Sequence, residues 1–295
     1  MTTTILLIAG AVVAGAAFRA LYAGALIRES ARKRRLGPDG VVIGGETFVL
    51  SRPGAPALLL IHGAGDTPQT VRYLGEALHA NGFHIEAPLL PGHGRSIQDF
   101  AHFDADDLTN AVVAAYESLR SRHEWTAVIG LSMGGALAVQ LAATHHELPA
   151  LGLVAPYLGM HEEIARATAT ARVWGLLFPF VKSGEGVSVR DPEERKKNLA
   201  YGVFTPAALR ALRDTMRRAV AALPQVVAPT LVIQSRDDNR ISVADAERAF
   251  ALLGARDKRF EWTTGAAHVI TVDYGRDHVF ALLIAFMRAR APAGA

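Results

Sequence analysis

No cysteine occurs among the 295 residues, which excludes disulfides, thiolate nucleophiles and cysteine-held zinc. Neither compartment follows from that, because thiols are optional in the cytosol and disulfides are optional outside it. Metal-ligand spacing is missing as well: there is no HExxH, and "HEE" at 161–163 reads as a charged helix start. The chain also lacks a basic stripe with interleaved aromatics. Its net charge of +3 conceals a split, since residues 1–35 hold six Lys/Arg against Glu29 alone, a net of +5. The remainder carries 25 basic and 27 acidic side chains. Nucleic acid is therefore not an expected partner. "HGAGD" (62–66) lacks the third glycine and distal acid of a dinucleotide loop, so no nucleotide is expected, and no metal or other cofactor.

What is present begins with a long apolar run, Ile5 to Ile27, interrupted only by Arg19. As a helix it would extend roughly 35 Å, enough for a hydrocarbon core of about 30 Å. Arg19 is expected to snorkel toward the nearer interface. "RESARKRR" follows, and positive flanks favour the cytoplasmic side. The expectation is membrane association through residues 5–27 with the rest of the chain cytoplasmic. A cleaved signal peptide, with export, and a helix lying on the domain or the bilayer surface are the alternatives.

Beyond residue 36, short apolar runs alternate with helical patterns. "GPDGVVIGGETFVLSRPGAP" reads as a hairpin, and "ALLLIHG", "WTAVIG", "ALGLVAP" and "PTLVIQS" read as strands buried on both faces. Asp104 is placed as the N-cap of a helix. Such alternation predicts an α/β fold with a mostly parallel sheet flanked by helices. The interval 157–225 lacks strand character and reads as an inserted helical cap. The expected divisions are residues 1–35, an anchor and basic segment; 36–156, the first part of the core; 157–225, the cap; and 226–295, the second part of the core.

"VIGLSMGGALAV" (128–139) contains Gly130-Leu131-Ser132-Met133-Gly134, a G-x-S-x-G at a strand-to-helix junction. The plain reading is a glycine-rich turn with an incidental serine. The functional one is a nucleophile on a sharp turn, where larger residues at 130 and 134 would collide. Serine needs a base, and on such a fold the chain order is Ser, Asp/Glu, His. His268, in "TTGAAHVITVD", follows the last strand in a small-residue loop. Of the other histidines, His79, His145, His146 and His278 are expected on helices, and His123 and His161 in solvent. The acid is Asp237 or Asp238, both just after "VIQS"; local sequence leaves the two open. The amides of Met133 and of Ala64, in the loop after "LLLIHG", are the expected oxyanion donors.

With these motifs the sequence resembles the bacterial monoacylglycerol lipase and carboxylesterase group of the α/β-hydrolase family. The resemblance covers about residues 55–290 and includes "LLLIHGAGDTPQT", "LGEALHANGFHIEAPLLPGHGRS", "APTLVIQSRDDNRIS" and "HVITVDYGRD". It implies Ser132, Asp238 and His268 as the triad of a serine ester hydrolase that acts on acyl esters through an acyl-enzyme. A thioesterase or acyltransferase on the same scaffold, or a non-catalytic binding protein, is the alternative. The chain departs from the group at Ala64, where an aromatic is usual, at "AAH" for Gly-His, and at Asn198, where an acid precedes "LAY" to bind glycerol. In the cap, "VWGLLFPFV" (173–181) either lines an acyl channel or packs on the core, so Trp174, Phe178 and Asn198 are candidate substrate contacts.

Overall fold

A computed structural model describes residues 2–183 and 188–292. The chain opens with α1 (Thr2–Lys33) and β1 (Phe48–Leu50), then alternates: β2 (Ala57–Ile61), α2 (Gln69–Ala80), β3 (His84–Ala87), α3 (Ala105–Arg120), β4 (Thr126–Leu131), α4 (Met133–Thr144), β5 (Leu151–Val154). There follow α5 (Glu162–Ala169), α6 (Ala171–Trp174), β6 (Val181–Lys182), α7 (Pro192–Lys197), β7 (Val203–Phe204) and α8 (Pro206–Ala222). The chain then returns through β8 (Thr230–Ser235), α9 (Val243–Leu252), β9 (Lys258–Thr263) and α10 (Arg276–Arg288). The sheet order is β1-β3-β2-β4-β5-β8-β9, parallel except for β1 against β3.

Strand β2 shows why the sheet must be covered twice. Ala57, Leu59 and Ile61 join a core that includes residues of α3, α4, α8 and α9, while Leu58 and Leu60 join one that includes residues of α2 and α10. Alternate side chains point to opposite faces, so five consecutive apolar residues demand a helical layer on each. Helix α3 starts on the expected cap: Asp104 accepts from the amides of Asp106 and Asp107, and Asp107 accepts from that of Asp104. Its buried residues Leu108, Val112, Tyr116 and Leu119 recur every three or four positions.

Two expectations give way. The expected hairpin is absent: β1 pairs with β3 across a long stretch of sequence, and residues 36 and 42 form only an isolated bridge. Alternation revealed a strand but not its partner. The cap, though mainly helical, includes the two-residue strands β6 and β7, which pair antiparallel. Arg19 has a partner within the protein. Its Nη1 donates to the carbonyls of Gly175 and Leu176, the latter at 3.0 Å, and so ties α1 to the segment after α6.

Helix α1 has two halves. Ile5, Leu6, Leu7, Ile8, Val12 and Val13 are exposed. Further along, Phe18 and Tyr22 meet Phe178 edge-on at 5.6 and 5.3 Å, and Leu26 is buried. Arg34 then donates to the Leu199 carbonyl at 2.7 Å and lies over the Tyr201 ring. The cap is pinned to the core by Thr205, which donates to the Phe100 carbonyl and caps α8, and by the Tyr201 hydroxyl on the Gly92 carbonyl.

Candidate active site

Strand β4 ends at Leu131 and α4 begins at Met133, so Ser132 makes the whole turn. It does so at φ 54°, ψ −118°, in the region that side chains ordinarily avoid. Backbone bonds hold it there: its amide donates to Val154, and its carbonyl accepts from Gly135, Ala136 and Tyr157. The flanking glycines are compelled by space. A Cβ on Gly130 would lie 2.3 Å from the Gly134 carbonyl oxygen, and one on Gly134 would lie 2.2 Å from that of Ile61.

Two loops bring the partners. Ser132 Oγ is 2.7 Å from His268 Nε2, and His268 Nδ1 is 2.8 Å from Asp238 Oδ2. Asp238 also accepts from the amides of Arg240 and Ile241 and from Gln234 Nε2. Burial pushes its carboxyl up, but the His268 charge and hydrogen bond, with those two amides, outweigh burial and leave it below the ordinary carboxylate range. An ionised Asp238 requires the proton of His268 on Nδ1, which makes Nε2 the acceptor for the serine hydroxyl. Asp237 points elsewhere: it accepts from the Gly265 amide at 2.8 Å and meets Arg190 at 3.4 Å.

Ala64 and Met133 lie on either side of this serine in the chain path, one after β2 and one opening α4. Among the described residues neither amide donates to another group. The three triad candidates and Ala64 border, or lie directly beside, a cavity of about 470 Å³ roofed by the cap. Its apolar wall includes Phe100, Ile164, Val203, Phe204 and Leu212, and its polar wall Asn198, Asn239 and Arg240. Trp174 and Phe178 do not line it. Trp174 donates to the Ala167 carbonyl at 2.8 Å, and Phe178 packs under α1. Of the two readings of this cluster, channel lining and packing, Phe178 takes the second against rings far upstream, and Trp174 bonds within the cap. His161 is exposed, as expected, at the rim of the cavity, whereas His123, also expected in solvent, is buried against the Ala55 carbonyl.

Two acids in the site carry no sequence signature. Asp273 is buried and accepts from four amides, those of Arg190, Asp191, Ala267 and Tyr274, stapling the His268 loop to the returning cap. Asp66 stands in the cavity wall. Neither sits in a periodic segment, so only the unexplained acid in each loop could have drawn notice. No group of three or more metal-ligating side chains occurs among the described residues.

The loop after β2 also depends on two buried histidines. His62 Nδ1 donates to the Gly63 carbonyl, and its Nε2 accepts from the Leu90 amide, which only neutral imidazole can do. Burial, with His93 beside it, depresses its pKa to about 3; burial takes His93 to about 4. Below the unfolded value of 6.5, the unfolded chain therefore binds protons that the fold refuses. Asp66, raised by burial to about 6, opposes this between pH 6 and its ordinary 3.8 by binding one proton in the fold. More protons remain on the unfolded side than Asp66 returns, so stability should fall as the pH drops from 6 to 4. Urea midpoints across that range test it. A flat profile would contradict the assignment, and Asp66→Asn should steepen the fall.

Residues 53–274 match the family model described as Serine aminopeptidase, S33. The chain belongs to that family. The hydrolase is 29% identical over 231 residues to a carboxylesterase of Bacillus subtilis (strain 168), a match covering 77% of this chain and 89% of the relative. It is also 29% identical over 251 residues to a thermostable monoacylglycerol lipase of Bacillus sp. (strain H-257), covering 85% and 97%. A solved structure described under LipS and LipT, two metagenome-derived lipolytic enzymes, has a TM-score of 0.75 at 28% identity and covers 86% of this chain and 100% of its own. The monoacylglycerol lipase of Paleococcus ferrophilus shares the fold, with a TM-score of 0.71 at 21% identity over 83% and 98%. The chain is thus a serine hydrolase with the α/β-hydrolase architecture, a parallel-sheet core with an inserted cap.

Proposed function

We propose that this hydrolase cleaves carboxylic esters with an apolar acyl group through a covalent intermediate on Ser132. The observation that carries the reading is the unbroken chain of hydrogen bonds from Ser132 through His268 to Asp238 at the foot of a largely apolar cavity. In the first step Ser132 Oγ bonds to the ester carbonyl carbon while its proton passes to His268 Nε2. The oxyanion accepts from the Ala64 and Met133 amides, fixed dipoles that need no rearrangement as charge develops. His268 returns the proton to the departing alcohol as the carbon–oxygen bond breaks. Water, deprotonated by the same imidazole, then splits the acyl-enzyme and regenerates the serine. The named activities of the two Bacillus relatives, a carboxylesterase and a monoacylglycerol lipase, support acyl-ester substrates.

Association with a membrane through residues 5–27 is the second part of the reading, with the catalytic part on the cytoplasmic side. The exposed apolar half of α1, and exposed Val173, Leu176 and Leu177 in the cap segment beside it, support a lipid-facing edge. One preparation tests both parts. The full-length protein should sediment with membranes after a salt wash and hydrolyse p-nitrophenyl esters and monoacylglycerols. Recovery in the wash would remove the membrane reading, and turnover of acyl-CoA in preference to every ester would remove the esterase reading.

A further inference from the structure

Gln234 is a polar side chain set into an apolar layer. It lies near the end of β8, 1% exposed, on the same strand face as Val232. Leu153, Leu158, Ala246 and Phe250 help to wall the space of about 10 Å³ beside it. Its Nε2 donates to Asp238 Oδ2 at 2.6 Å, while its Oε1 is buried with no partner among the described residues. A buried amide oxygen without a donor is costly, and an apolar side chain of the same length would avoid that cost. The use of this side chain therefore lies in its NH₂.

The four donors to Asp238 divide evenly between its oxygens. Oδ1 accepts from the amides of Arg240 and Ile241 at 2.7 and 3.1 Å, both in the loop that follows the acid. Oδ2 accepts from His268 Nδ1 at 2.8 Å and from Gln234 Nε2. Without Gln234, the oxygen that meets the imidazole would be held by the imidazole alone. Gln234 instead ties it to β8, a strand paired on both sides, with β5 and with β9. The same bond draws on the charge of Oδ2 and so moderates how strongly Asp238 favours the imidazolium. That matters because His268 accepts the serine proton only when it is neutral.

We propose that Gln234 is a positioning residue: through Asp238 Oδ2 it holds the carboxylate against His268 and tempers its charge. The proposal rests on the triad of the esterase reading above. It goes beyond that reading in giving the acid a fixed partner inside the sheet, at the expense of an orphaned oxygen.

Gln234→Met tests it, since methionine keeps the length and removes both ends of the amide. On a p-nitrophenyl ester kcat should fall about tenfold with KM within about twofold. The acid limb of kcat/KM should move up by about half a pH unit, because a less satisfied Asp238 holds the proton on His268 more strongly. Asp66, Tyr157, His161, Glu163, Tyr201 and Arg240, the titratable groups at the cavity outside the triad, are common to both proteins and do not produce the difference. The thermal midpoint should stay within a few degrees, because the orphaned oxygen leaves together with the donor. A residue that only braced the strand would do the opposite, lowering the midpoint and leaving the limb in place. That result, or a variant that does not fold, overturns the proposal. So does an acid limb that stays or moves down, or a kcat equal to that of the wild type, and each leaves the esterase reading standing. Absence of turnover by the wild type removes both.

Discussion

Ser132→Ala should lower kcat on the order of 10⁶-fold and abolish labelling by a fluorophosphonate probe, while the thermal midpoint stays within a few degrees. The expectation follows from how the hydroxyl is held. The strained backbone is secured by main-chain bonds that alanine retains, and among the described residues the only side-chain partner of Oγ is His268 Nε2. Removing it therefore takes away the proposed nucleophile and little else. Some rate over water should persist, since the two amides and the cavity still bind the ester and its oxyanion. Labelling or turnover that survives in the purified variant would contradict the assignment of Ser132 as nucleophile.

Asp238→Asn should cost about 10⁴-fold in kcat, whereas Asp237→Asn should cost about tenfold or less. Asparagine at 238 can present its NH₂ to His268 Nδ1. That places the imidazole proton on Nε2, where it can no longer accept from the serine. It also loses the negative charge that stabilises the imidazolium. The neighbouring acid touches neither ring nor serine; it braces the His268 loop from the outside through Gly265 and Arg190. Steady-state kinetics of the two variants on one ester decide the matter, and the reverse order would exchange the two aspartates.

The parts of the site that sequence disclosed are those fixed by local sterics or by chain order. Glycines around Ser132 announce a turn too tight for side chains, and a histidine after the last strand has one place to return to. The acid was different. Asp237 and Asp238 are adjacent, and only the way the chain leaves β8 decides which carboxylate turns inward; resemblance to relatives implied Asp238 where local chemistry left both. The pairings that sequence left out share one physical origin. Strand β1, Phe178 and Arg19 each find their partners far along the chain, at β3, in α1 and after α6. A side chain's own neighbourhood carries no trace of such pairings. Asp66 and Asp273 carry no signal in the sequence for a related reason, since an acid in a loop looks solvated until the fold closes over it.

The contact between α1 and the cap gives the apolar leader a structural duty apart from any affinity for lipid. A shortened chain beginning at Gly37 would leave Phe178 without either ring neighbour, return the Gly175 and Leu176 carbonyls to water, and strip Arg34 from Tyr201 in the cavity wall. The roof over the substrate would then be missing a rafter. Removal of exposed apolar surface by trimming and integrity of the cavity roof are thus opposed in this molecule, because both belong to one helix.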